Sequence, residues 1–112
     1  MVAVSTRPWS EITESDYEDA ADFCEACLIN LNEGPRSEWT KAACKLPVYE
    51  PKNMGRKLNR NAVIAAAAAL AGARGGVKAP PEAKRQAARK LLRLYRAIEL
   101  EPPESLKRLA ED

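Results

Sequence analysis

Five consecutive alanines, Ala65 to Ala69, lie inside the stretch Asn59–Gly76, NRNAVIAAAAALAGARGG, and no other feature constrains the fold of this chain as strongly. Alanine is the best helix former and has almost no side-chain bulk, so the run reads as a helix that can approach its neighbours closely on several sides. Asn59 or Asn61 can cap its N-terminus, and Gly75 or Gly76 can take the left-handed stop after a helix reaching about Ala73. The apolar run Ala62 to Ala73 is well short of the ~18 residues that suggest a spanning helix, so a membrane reading fails on length. The expected role is a central packing helix.

The rest of the chain supports the same architecture. At 112 residues the length fits one domain, with 46% apolar and 30% charged residues, a globular composition. Aromatic residues are few, which favours helices over strands. Residues 1–12 read as an N-terminal arm in which Trp9 packs on the domain, and residues 13–112 as a single helical domain. The Ser15–Glu18 spacing suits a capping box, and the spacing of Phe23, Cys24, Cys27, Leu28 and Leu31 predicts a helix over 16–31 with those residues buried. Ser37 can open a short helix carrying Trp39. Cys44–Val48 is expected to be extended because Pro47 restricts the residue before it, and Asn53–Leu58 reads as a turn. Pro80-Pro-Glu82 starts a helix to about Ile98 or Leu100, and Glu104 to Ala110 forms one last short helix. The expected fold class is all-α, a compact domain of four to five helices around the alanine-rich one.

Charge is distributed unevenly. Residues 1–34 hold eight acids against Arg7 alone, whereas residues 35–112 hold seventeen bases against eight acids. Such a split suits an intramolecular match, pairing between copies, or a basic surface for a polyanion. At 100° per residue, Arg85, Arg89, Arg93 and Arg96 fall on one ridge of the penultimate helix, opposite Ala87, Leu91, Leu94, Tyr95 and Ile98. Lys52, Arg56, Lys57 and Arg60 form a second basic cluster before the alanine helix. Arginine forks suit phosphates, yet the ridge equally serves as a solvated or ion-paired face.

Histidine is absent, which removes Ser-His-Asp and Cys-His catalysis and every His-dependent metal site. Cys24-Glu-Ala-Cys27 is a CxxC with Cys44 as the third cysteine, and a mid-helix position on the apolar face reads as buried free thiols ahead of one disulfide to Cys44, with metal or redox chemistry last. The acids of the first helix read as a solvated face. Neither a Walker loop nor a GxGxxG is present. No catalytic set, metal or cofactor is expected, and the chain reads as non-enzymatic. The N-terminal segment lacks the pattern of a secretory signal, so the expected location is cytoplasmic, or virion-associated.

The segment CKLPVYEPKNMGRKLNRNAVIAAAAALAGARGGVKAPPEAKRQAARKLLRLYR, with EPPESL after it, resembles a small helical domain of phages, prophages and archaeal mobile elements. That domain is often appended to prohead-protease-like or head-structural proteins. The shared pattern is a K-L-P segment, L-N before an alanine-rich helix, GARGGV, and an Ala/Lys/Arg helix, over roughly residues 44–105. The resemblance implies a mobile-element origin and a non-catalytic role. Two functions follow as expectations. The first is nucleic-acid binding, DNA or RNA, through the arginine ridge and the basic loop; the second is an assembly or protein-interaction module that pairs with itself or with a phage or virus-like structural protein through acidic and basic faces.

Overall fold

The computed structural model describes residues 4–72 and 76–111. In chain order its elements are β1 (Val4–Ser5), α1 (Ala20–Ala26), β2 (Cys27–Asn30), β3 (Cys44–Pro47), β4 (Leu58–Asn59), α2 (Arg60–Leu70), α3 (Pro81–Ala97) and α4 (Glu104–Glu111), with short 3-10 turns between them in the first half. β1 pairs parallel with β4, and β2 pairs antiparallel with β3. The fold is therefore mixed helix and strand, not all-α.

The long first helix is where the expectation fails. α1 begins at Ala20, capped by Asp19, whose Oδ1 accepts from the Asp22 amide at 2.8 Å, and ends at Ala26. Upstream, Thr13 and Asp16 supply the local pairing expected of Ser15 and Glu18, with the Thr13 amide donating to Asp16 Oδ2 at 2.8 Å. Beyond Ala26 the chain leaves the helix because Cys27–Asn30 finds a partner strand: Cys27 lies opposite Pro47 and Asn30 opposite Cys44. That pairing spans residues far apart in sequence, and burial of Leu28 and Ile29 overrides the local helical spacing. A Cys24–Cys44 disulfide, with Cα atoms 5.4 Å apart, ties α1 to β3 and leaves Cys27 as the free thiol. Cysteines 24 and 44 are thus cross-linked, which replaces the leading reading of free thiols. Cys44–Pro47 is extended as expected, and Lys52–Gly55 forms the turn, closed by Gly55 at φ 97°.

The alanine helix is capped by Asn59, whose Oδ1 accepts from the Ala62 amide at 2.9 Å. It ends at Leu70, and Gly72 takes a left-handed conformation at φ 106°. Gly76 is also left-handed, while Ala73–Gly75 lie outside the described residues. The helix is one-sided rather than central. Ala62, Val63, Ala66 and Ala67 are buried against β3, β4 and α3, whereas Ile64, Ala65 and Ala68 face outward. Small side chains permit close approach on any face, but among the described residues only one face is covered.

α3 opens with Pro81 at its first position and buries Ala87, Ala88, Leu91 and Tyr95. It stops in a Schellman arrangement: Glu99 is left-handed at φ 56°, its amide bonds to Arg96 O at 3.1 Å, and the Leu100 amide bonds to Tyr95 O at 2.9 Å. The turn that follows lays α4 back on α3, burying Leu106 and Ala110. Two apolar clusters result. One joins β2, α2, α3 and α4 around Leu58, Val63 and Leu91; the other gathers Ile12, Tyr17, Phe23, Cys24, Ala26 and Cys44 around the disulfide. Trp9 and Tyr49 touch both. No helix among the described residues is long and apolar enough to cross a membrane.

Candidate nucleic-acid interface

Helix α3 carries Lys84, Arg85, Arg89, Lys90, Arg93 and Arg96 against Glu82 alone. Its apolar stripe faces the core, so its remaining surface must be polar, but nothing in packing requires that surface to be almost purely cationic. The four ridge arginines are not equivalent. Arg85 Nη1 is held by Glu82 Oε2 at 2.8 Å, one turn back on the same helix. Arg89 Nε donates to Ala110 O at 3.1 Å, satisfying a carbonyl in the last turn of α4. Arg93 and Arg96 are exposed and have neither an ion pair nor a side-chain hydrogen bond among the described residues. Arg89 and Arg96 border a groove of about 540 Å³ between α3 and α4, whose far side holds Lys107, itself paired with Glu101 at 2.9 Å.

The loop cluster divides as well. Lys52, Lys57 and Arg60 are exposed. Arg60 opens α2 close enough to α3 for its charge to act on the buried Tyr95 phenol: burial raises that pKa, and Arg60 opposes the rise. Arg56 is different. Its backbone is left-handed at φ 52°, and its guanidinium turns inward to bind the Asp22 carbonyl oxygen at 2.8 Å and the Asp22 carboxylate. The structure brings Lys57 and Arg60 to the surface and does not bring Arg56 there.

The polar residues that sequence reasoning missed are the buried ones. Asp22, read as one acid of a solvated face, is 3% exposed and accepts from the Glu18 amide at 2.9 Å, the Lys52 amide at 3.1 Å and Arg56. No local signal marked it: on the expected helix Asp22 lies opposite the apolar stripe, and its partners Lys52 and Arg56 are 30 and 34 residues away. Glu50 is also buried; it accepts from Asn59 Nδ2 at 2.9 Å and has Arg7 Nε 3.9 Å away. With Arg36 on Glu25, these contacts join the acidic and basic parts of the sequence within one molecule. Of these, Arg36–Glu25 is exposed on both sides and contributes little, whereas the buried carboxylates of Asp22 and Glu50 need their partners to offset lost hydration.

Near the disulfide, Cys27 and Tyr17 are held neutral. Burial, with Glu14 nearby, pushes the Cys27 thiol up to about 12, and burial also raises the Tyr17 phenol, whose hydroxyl donates to Tyr49 O at 2.6 Å. A thiol so protonated is a weak nucleophile. Among the described residues, no group of three His, Cys, Asp or Glu side chains is placed to hold a metal ion. No family model, curated protein or solved structure matches the chain.

Proposed function

We propose that this protein is a non-enzymatic module that binds the phosphate backbone of nucleic acid through α3. The observation that carries the reading is a seventeen-residue helix with six cations, one acid, and an exposed Arg93–Arg96 pair without intramolecular partners among the described residues. Arg89 borders the same ridge, and Lys57 and Arg60 extend the positive surface at the start of α2. Guanidinium groups spaced along a rigid helix can meet successive phosphates, and such contacts position a protein on nucleic acid without reading bases. Arg56 and Arg85 are left out of the binding set because Asp22 and Glu82 already hold them. Pairing between copies through acidic and basic faces has less support. Asp22, Glu25 and Glu50 already meet arginines of their own chain.

The test is a salt titration with duplex and single-stranded oligonucleotides. Three ridge arginines on phosphates give a slope of log K against log salt of about −3 on duplex, and Arg93→Gln with Arg96→Gln flattens it by about two units at every sequence tried. Binding that ignores salt, or that survives the double substitution unchanged, overturns the proposal. Light scattering on the same preparation reads the alternative. Self-association abolished by those substitutions, without nucleic-acid affinity, assigns the ridge to assembly.

A further inference from the structure

On the side of the molecule built around the disulfide, a cleft of about 520 Å³ opens between the N-terminal arm, β3 and Gly76–Lys78. Its floor is made by Ile12, Tyr17 and Phe23, all buried, with the last two rings edge to face at a centroid distance of 5.1 Å. Trp9, Leu46 and Val77, each half-buried, form its walls. Tyr17 offers no donor to a ligand, because its hydroxyl is committed to Tyr49 O. The volume lies within the range of roughly 300 to 1,000 Å³ typical of small-molecule sites, and so does the character: an apolar body with a few polar groups at the edge.

Two further observations give the cleft a chemistry. Lys45 and Lys78 line it against a single acid, Glu14, so its rim is net cationic. The Lys45 ammonium donates one hydrogen bond, to Ala42 O at 3.0 Å, and keeps two protons for another acceptor. Leu46, between them in chain order and also lining the cleft, sits at φ 63°, a left-handed conformation rare for leucine and held here inside a paired strand. Such outliers concentrate at ligand clamps, where surrounding structure holds a side chain against its local preference.

We propose that this cleft binds a small amphipathic anion: an aromatic or short aliphatic body seated on Tyr17 and Phe23, with a carboxylate or similar head met by Lys45 and Lys78. The site is independent of α3 and of any nucleic-acid role.

Phenylbutyrate and its neutral amide, which differ only in the head group, test the idea on the full chain. Trp39 lies outside the cleft, so a Trp39→Phe protein reports through Trp9 alone. Phenylbutyrate is expected to change Trp9 emission saturably at one molecule per chain and to bind about tenfold more tightly than the amide, the scale of two exposed charge contacts. Lys45→Met with Lys78→Met removes that preference while leaving amide binding and thermal unfolding where they were. Lys78→Met alone, at an exposed position, removes part of it should the double variant unfold. Arg93→Gln with Arg96→Gln leaves acid binding unchanged, which separates this site from the helical ridge. Equal affinity for acid and amide, an acid preference that persists without both lysines in the folded double variant, or no saturable binding of either compound overturns the proposal.

Discussion

The region up to Lys57 and the region from Leu58 onward are held together by different means. In the first, α1 is seven residues long, the strands are short, and the connections are 3-10 turns, so local structure supplies little. Its order comes from burial of Leu28, Ile29 and Val48 in the core shared with the helices and from individual long-range ties: the Cys24–Cys44 disulfide, Arg56 on Asp22, and the Tyr17 hydroxyl on Tyr49. In the second, three helices, α2 capped by Asn59 and α3 opened by Pro81, bury an alanine and leucine seam in which Ala87, Ala88 and Leu91 are wholly inaccessible. A small molecule can thus combine a stapled half with a packed half. The stapled half supplies the aromatic floor of the cleft, to which the other half adds Val77 and Lys78, and the packed half presents the arginine ridge.

The comparison breaks most readily at Leu91. Leu91→Ala empties a site with no exposed surface and is expected to cost about 4 kcal/mol, read by denaturant unfolding. A loss under about 1 kcal/mol would mean that the helical seam is not what holds the second region. Next, Cys24→Ser with Cys44→Ser opens a loop of sequence separation 20 and should cost about 3 kcal/mol. The effect is expected in the first region, visible as a loss of near-ultraviolet signal from Tyr17 and Phe23.

A finer contrast lies within α2. Ala67→Leu overpacks a buried face and should cost about 1 to 3 kcal/mol. Ala68→Leu, on the outward face, should change stability by less than about 0.5 kcal/mol. Equal effects would mean that the helix is covered on both sides.

A further effect appears only in alkali. Cys27 has its pKa raised from 9.0 to about 12 in the folded protein, and Tyr17 is raised also. Above the unfolded values the unfolded chain releases protons that the folded chain keeps, so stability is full below about pH 9 and declines as pH rises toward 12. Cys27→Ser should flatten that decline in a series of melts across this range. Alkylation of Cys27 should likewise be slow in the folded protein and fast after unfolding.

How much of this was legible in the sequence follows the same division. The cap at Asn59, the proline start of α3 and the short last helix are local signals, and all three elements form where the residues place them. The extended Cys44–Pro47 segment was legible for the same reason, through Pro47. The β2 strand was not, because Cys27–Asn30 has helical spacing and becomes a strand only by meeting Cys44–Pro47. Likewise the four arginines of α3 could be placed on one ridge from their spacing, but their inequality depends on Glu82 and on the end of α4. Arg56 looked like a loop cation because its partner, Asp22, is 34 residues away.

Hydrogen exchange with and without reductant tests the division most directly. Reduction of Cys24–Cys44 is predicted to accelerate exchange of the amides in α1, β2 and β3 while those of α3 from Arg85 to Tyr95 keep their protection. Equal acceleration in α3 would contradict the account, since the helical region would then depend on the same staple.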